Sequence, residues 1–300
     1  MKKEIIRKKQ AIDLSIIIVS FNVKKLLRDC IGSVIRDQES GTGGQGINKK
    51  NKPVTELIIV DNGSTDGSVE FLRDLNQFPK SLNLYKSISL KVILNNQNLG
   101  FAKAVNQGIK ASRGDYILLL NPDTQVKPDT LKRLVDFAKD HPEAGVVGAQ
   151  LVNPDGSIQS SVYHFPSCWR AILEFWFGQK GAYEKYALEG KKPIEVEAVT
   201  GAAMLIPRKT FDKVGFFDER YFMYFEDLDF CRRVKKAGLK IYYLPQVKIL
   251  HHHGQSAAKM SHQAYQWLCK SSKIYNGVLK YWLLTGIIWL GEKWRKRKQI

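Results

Sequence analysis

The sequence predicts an α/β fold built on a mostly parallel, doubly wound sheet, and two observations carry that expectation. Short continuous runs of aliphatic and β-branched residues alternate with stretches whose apolar residues recur at helical spacing. Polar residues gather where the runs end, which is where open α/β sheets bind their ligands. The first run, Leu14-Ser15-Ile16-Ile17-Ile18-Val19-Ser20, has the composition of a strand buried on both faces. Val23, Leu26, Leu27, Ile31, Val34 and Ile35 then predict a helix, and Leu57-Ile58-Ile59-Val60 a second buried strand ending at Asp61, which completes a βαβ unit. Next come a strand Lys91–Leu94, a helix from about Phe101 to Ala111, a strand Tyr116–Leu120, a helix Leu131–Ala138 and a strand Val146–Ala149. After about Asn153 the chain turns aromatic, and a strand is expected from Val196 to Ile206, interrupted by Gly201. A helix Glu226–Ala237, closed by Gly238, precedes a strand Lys240–Leu244 and a His251-His252-His253-Gly254 turn.

Composition narrows the function classes. With 44% hydrophobic and 25% charged residues, the chain is neither disordered nor fully embedded in a membrane. The net charge of +18 calls for a partner of opposite sign: nucleic acid, anionic lipid or a phosphorylated substrate. The charge concentrates in a basic tail over residues 1–12, in a Gly-, Asn- and Lys-rich stretch over 39–53 read as a flexible surface insert, and at Lys293, Arg295, Lys296, Arg297 and Lys298. Four scattered cysteines with no CxxC pair indicate neither a disulfide framework nor a zinc knuckle, and a reducing cytoplasm is the simplest home. Val278 to Leu290 is the one near-membrane stretch, too short to span. With Trp282, Trp289 and the basic tail it predicts a helix that touches an anionic membrane surface, so residues 259–300 are expected to form a membrane-associating segment behind a domain spanning 13–258.

Four groups of residues carry chemistry. Asp61-Asn62-Gly63-Ser64-Thr65-Asp66-Gly67-Ser68 follows a strand and opens a helix, so Asp61 can accept hydrogen bonds from a base or ribose, while Asp66 reads as a helix cap. Asn121-Pro122-Asp123 ends a strand and puts a carboxylate where Mg²⁺ or Mn²⁺ could meet a diphosphate; as a lone tetrapeptide with Thr124 it reads equally as a turn. Glu226-Asp227-Leu228-Asp229 sets three carboxylates at a helix start, behind an aromatic run that could give one of them the pKa of a general base. Asp229 could instead pair with Arg232 or Arg233. His251-His252-His253-Gly254-Gln255-Ser256 offers at most two ligands to one ion, because neighbouring side chains of a strand point to opposite faces.

In order and spacing these elements, with Asn98-Leu99-Gly100-Phe101-Ala102-Lys103-Ala104-Val105-Asn106 and Gly215-Phe216-Phe217-Asp218-Glu219, resemble the inverting family 2 glycosyltransferases of GT-A fold, and among them the rhamnosyltransferase-like group that builds bacterial surface polysaccharides. The resemblance runs from about Leu14 to Ser256. It implies base recognition by Asp61, metal and diphosphate ligation by Asp123, catalytic-base duty for Asp227 with Glu226 beside it, and a further metal or diphosphate contact at His251. It also implies a donor pocket lined by Ser20, Asn22, Asn98, Gly100, Lys103 and Asn121. The usual Asp-x-Asp reads Asn121-Pro122-Asp123, as in the rhamnosyltransferase-like group, which leaves one carboxylate for the metal. Phe230-Cys231-Arg232-Arg233-Val234 lacks the Gln-x-x-Arg-Trp pattern of processive synthases, so addition of a single sugar is expected. The donors implied are dTDP-rhamnose or a UDP-sugar, the acceptor is polyprenyl-linked or saccharide, and the site of action is the inner face of the cell membrane. A nucleotidyltransferase is the nearest alternative, but Ser20-Phe21-Asn22-Val23 replaces the Gly-rich loop it would need. A nucleic-acid-binding protein would explain the charge but not carboxylates at the strand ends, which repel phosphate.

Overall fold

The computed structural model describes residues 11–39, 52–77, 88–252 and 261–298. Strands β1 (Leu14–Ser20), β2 (Thr55–Asp61), β3 (Ile88–Leu94) and β4 (Tyr116–Leu120) form a parallel block in the order β3-β2-β1-β4. The register aligns Ser20 with Asp61 and Asp61 with Leu94, so the polar residues that follow these strands emerge along one edge. Alternating side chains of β1 serve two cores. Leu14, Ile16 and Ile18 pack with the helices α1 (Lys24–Glu39), α2 (Ser68–Gln77) and α4 (Thr130–Asp140), while Ile17 packs with α3 (Phe101–Ala111) on the other face.

The second half of the sheet departs from pure alternation. β6 (Ala144–Val152) and β11 (Lys240–His251) are parallel to each other, but β10 (Ala203–Pro207) lies between β4 and β6 and runs antiparallel to both. A short strand, β5 (Thr124–Val126), pairs antiparallel with the end of β11. Asn121-Pro122-Asp123 is therefore a link between two strands. The expected strand Val196–Ile206 divides at its glycine. β9 (Ala198–Val199) joins β7 (Val162–Tyr163) in a separate two-stranded sheet, and β10 enters the main one. The chain leaves one sheet for the other there, so the Gly201 N–H lies outside both ladders and bonds elsewhere. β3 begins at Ile88 and β11 runs to His251, both beyond the expected ends, because pairing with β2 and β6 extends them past their apolar runs.

The remaining elements are α5 (Cys168–Phe175), β8 (Ile194–Glu195), α6 (Arg208–Val214), α7 (Glu226–Lys236), α8 (His262–Asn276) and α9 (Val278–Lys298). α8 is fastened to α7 and to the loop before it. Ser271 Oγ donates to Met223 O at 2.8 Å, Trp267 packs on Phe222, and the Arg232 guanidinium lies 3.9 Å from the centre of the Tyr275 ring. α9 packs on α5, with Trp176 Nε1 donating to Ile287 O at 3.0 Å and Leu284 buried between them. Residues 1–10, 40–51, 253–260 and 299–300, which hold most of the basic tail, most of the expected insert and His253 to Ser256, lie outside the described residues.

Candidate active site

The edge formed by β1, β2 and β3 is shaped by hydrogen bonds among polar side chains. Asp61, fully buried, accepts from Gly63 N and Ser64 N on Oδ1 and from Ser64 Oγ, at 2.6 Å, on Oδ2. It thus folds its own turn, and only Oδ2 keeps acceptor capacity for a ligand. Asn22 stitches β1 to that turn: its Oδ1 accepts from Thr65 N at 2.7 Å, and its N donates to Ser64 Oγ. Asp66 accepts from Lys24 N as well as from Ser68, bridging the starts of α1 and α2. Buried Asn62 connects the third strand end, donating to Asn98 Oδ1 and Gly100 O and accepting from Asn95 and Leu99. Asn98 Oδ1 also accepts from Gly100 N. Two glycines make this assembly possible. A Cβ on Gly63, at φ +82°, would stand 2.7 Å from the Gln97 backbone, and one on Gly100, at φ +86°, 2.7 Å from Phe222 O. Lys103 projects to solvent one turn into α3, and among the described residues Ser20 Oγ is buried without a hydrogen-bond partner.

Pairing of β5 with β11 sets Thr124 opposite His251, which carries Asp123 to the histidine. His251 Nε2 lies 3.3 Å from Asp123 Oδ1, and His252 N donates to Asp123 O at 2.8 Å. The other ring nitrogen, Nδ1, is 2.8 Å from Gln159 Oε1, whose amide nitrogen donates to His251 O. An Nδ1–H held by a carbonyl oxygen turns the Nε2 lone pair towards the carboxylate, a contact that is favourable when a proton or a cation lies between them. This donor set fits a divalent ion that takes its other ligands from a diphosphate and water. Among the described residues no group of three or more histidine, cysteine and acidic side chains gathers to hold a metal without such help.

The third part is the head of α7. Tyr224 and Phe225 enter it with φ of 70° and 67°, a left-handed pair that is strained for non-glycine residues and that tucks the next two carboxylates inward. Glu226 and Asp227 are both buried, and burial raises the pKa of both. Their surroundings differ. Asp227 accepts from Leu228 N at 2.8 Å and Gly201 N at 3.2 Å, and the Lys185 ammonium also favours its charge. Glu226 is pushed up to about 8 by burial and by the Asp227 carboxylate, and among the described residues its Oε2 has no hydrogen-bond partner. The pair therefore ionises first at Asp227, with Glu226 retaining its proton at neutral pH. Asp229 accepts from both Arg232 and Arg233, at 2.9 and 2.8 Å, and is structural.

The parts meet at the break between β9 and β10. Gly201 N bonds Asp227 while Asn121 N donates to Ala202 O, so Asp227 and the Asn121–Asp123 link hang on adjacent peptide units. The structure thus gathers Asp227, Glu226 and Asn121 around one hinge, Asp123 and His251 beside it, and Ser20, Asn22, Asp61, Asn98 and Gly100 along the neighbouring strand ends. Asn62, Gln159, Gly201 and Lys185 escape sequence reasoning. Asn62 stands next to Asp61, and the glycine shows as a strand break; Gln159 and Lys185 carry no signal, because they are placed by contacts distant in sequence.

A parallel sheet with polar strand ends, an acidic helix head and an Asp–His pair at a strand return defines a GT-A glycosyltransferase. Residues 15–215 match the pattern of glycosyl transferase family 2, and the chain belongs to that family. It is 33% identical over 226 residues, 69% of each chain, to the N-acetylglucosaminyl-diphospho-decaprenol L-rhamnosyltransferase of Mycobacterium tuberculosis. It is also 29% identical over 182 residues, 60% of this chain and 68% of the relative, to rhamnosyltransferase WbbL of Escherichia coli K12. The structure of GalNAc-T7 with UDP, GalNAc and Mn²⁺ superposes with a TM-score of 0.64 at 16% identity, over 91% of this chain and 49% of that one, a likeness of fold.

The raised Glu226 pKa gives a signed expectation. From pH 4.5 upward the unfolded chain loses this proton while the folded chain keeps it to about 8, so stability conferred by the group is full below that window and is lost across it. Glu226→Gln has no such loss. Thermal melting of the variant should exceed that of the wild type by a margin that widens by about 5 °C between pH 5 and pH 8. A constant margin would show that Glu226 ionises freely in the fold.

Proposed function

We propose that the chain transfers one L-rhamnose from dTDP-rhamnose to a hydroxyl of a sugar carried on a polyprenyl diphosphate, inverting the anomeric centre. The donor and acceptor rest on the rhamnosyltransferase relatives, among them the dTDP-rhamnosyl transferase RfbF of Shigella flexneri. The mechanism rests on one observation, a buried Asp227 carboxylate that accepts from two backbone donors beside a Glu226 whose Oε2 has no hydrogen-bond partner among the described residues. Asp227 takes the proton of the acceptor hydroxyl as its oxygen attacks the anomeric carbon on the face opposite the nucleotide. Glu226, keeping its own proton, holds negative charge away from the incoming acceptor. Asp61, through its remaining acceptor capacity, and Ser20, Asn22, Asn98, Gly100, Lys103 and Asn121 line the nucleotide-sugar side. Mg²⁺ or Mn²⁺ held by Asp123 and His251 would neutralise charge on the departing diphosphate.

We further assign the outer face of α9 to an anionic membrane surface. No described helix is long and apolar enough to cross a membrane. Yet α9 is apolar on two sides rather than one. Ile287, Ile288 and Leu284 meet α5, while Leu279 (84% exposed), Trp282, Leu283, Trp289 and Leu290 face outward beside exposed Lys293, Lys296 and Arg297. A helix covered only by water would carry polar residues there. Cationic residues among tryptophans match anionic headgroups, each contributing about 1 kcal/mol. A lipid-linked acceptor would place the enzyme at this surface, on the cytoplasmic side.

Release of nucleoside diphosphate from a panel of dTDP- and UDP-sugars, with a polyprenyl-diphospho-N-acetylglucosamine acceptor, tests the reading; turnover greatest with a donor other than dTDP-rhamnose would replace the donor. Asp227→Asn should lower kcat by about 10³-fold and leave donor affinity within a few-fold. Retained turnover in that variant, with Glu226→Gln inactive, would move the base to Glu226. Asp123→Ala should weaken both donor binding and turnover, and a wild-type enzyme indifferent to chelator would remove the metal from the scheme. In vesicle co-sedimentation at low salt the full chain should bind anionic but not neutral vesicles. Leu279→Glu combined with Leu283→Glu should abolish that binding with an unchanged melting temperature, and persistence of binding would assign it elsewhere.

A further inference from the structure

Between the catalytic base and the apolar face of α9 runs the segment 163–186. Its first residue, Tyr163, pairs with Ala198 of β9, three residues ahead of Gly201, whose N donates to Asp227; burial, then the Asp227 and Glu226 carboxylates, raise its phenol well above the ordinary value. Its far side reaches the C-terminal helices, where Lys280 Nζ donates to Pro166 O at 2.9 Å, and exposes Trp169 (63%) and Phe177 (73%) on and beside α5. The cations along this segment differ in how they are used. Arg170 is paired with Glu197 Oε1 at 2.5 Å, and His164 Nδ1 lies 3.1 Å from the same oxygen. Lys180 and Lys185 are both exposed and, among the described residues, form no salt bridge; Lys185 has its ammonium 6.0 Å from the centre of the Tyr163 ring.

The backbone holding Lys185 is fixed on both sides. Buried Glu174 accepts from Tyr183 N and Glu184 N at 2.6 and 2.9 Å. On the other side Tyr186 N donates to Val162 O at 2.9 Å, and the Tyr186 ring stacks on His164. Such anchoring is more than a solvated surface lysine requires. A lysine held between a catalytic carboxylate and an apolar surface meets the middle of any acceptor that presents a hydroxyl at one end and a lipid at the other. On the reading that the acceptor is a lipid-linked diphospho-sugar, that middle is a diphosphate, and an ammonium is a suitable point-charge partner for it.

The geometry points to Lys185 as the contact for the acceptor's diphosphate, on a path that leads from Asp227 past Tyr163 to Trp169, Phe177 and the outer face of α9. The donor's own diphosphate is at Asp123 and His251 in the proposed scheme, so the two anionic groups would be bound separately.

The test is direct binding to the full chain, with the donor side filled by saturating dTDP and Mg²⁺, of farnesyl diphosphate against farnesol. The wild type should favour the diphosphate by about tenfold, the size of one good ionic contact, and Lys185→Gln should bring the two lipids to within about threefold while Lys185→Arg keeps most of the preference. Melting temperatures measured alongside should not move. Equal affinity of the wild type for both lipids would overturn the assignment, as would a Gln variant that keeps the preference or loses affinity for both lipids alike. Failure of the donor and acceptor reading appears separately, as absence of dTDP release from dTDP-rhamnose by a wild type whose lipid binding is intact.

Discussion

The hydrogen bond from Gly201 N to Asp227 Oδ2 holds the active site together because of where it falls in the chain. At this point the polypeptide passes from the two-stranded sheet of β7 and β9 into β10 of the main sheet, and the Gly201 peptide N–H lies outside both ladders. This peptide group donates to the Asp227 carboxylate. The next, at Ala202, accepts from Asn121 N and so fixes the end of β4. With no side chain at Gly201, the Asp227 and Phe101 side chains lie within ordinary contact of where its Cβ would be. Asp227, the β4 terminus and α3 are thereby placed relative to one another by a single turn of backbone.

Electrostatics sort the acidic residues at the head of α7 into different tasks. Asp229 is matched by two guanidiniums and ties α7 to its surroundings, Arg233 reaching Val214 O and Arg232 reaching Tyr275. Asp227 is buried but supplied with backbone donors, and Glu226 is buried without them. Neighbouring carboxyl groups thus differ in the donors their surroundings supply. The left-handed Tyr224–Phe225 pair is a strained entry to a helix, and the contacts of Trp267 with Phe222 and of Tyr275 with Phe225 hold it in place.

The two C-terminal helices divide in the same way. α8 braces the strained entry to α7, and its Tyr275 is buried in the main core. α9 covers α5, whose Glu174 in turn anchors the loop bearing Lys185. α9 and the loop bearing Lys185 are thus joined through α5.

The sequence by itself determined the βαβ alternation, the strand ends at Ser20, Asp61 and Leu120, the limits of α3 and the carboxylates at the head of α7. Each follows from local periodicity or from burial on both faces of a strand, which a short window of residues records. The ordered motifs also determined the family. Tertiary structure alone decided that β10 runs antiparallel, that Val196–Ile206 splits at Gly201, and that Thr124–Val126 returns as a strand to bring Asp123 to His251. It also decided that Asp61 spends most of its acceptor capacity on its own turn, and that Asp227 rather than Glu226 receives the stabilising donors. All of these depend on backbone groups and side chains far apart in the chain, Gly201 with Asp227 and Gln159 with His251 among them. Their hydrogen bonds exist only once the sheet has set which strand ends are neighbours.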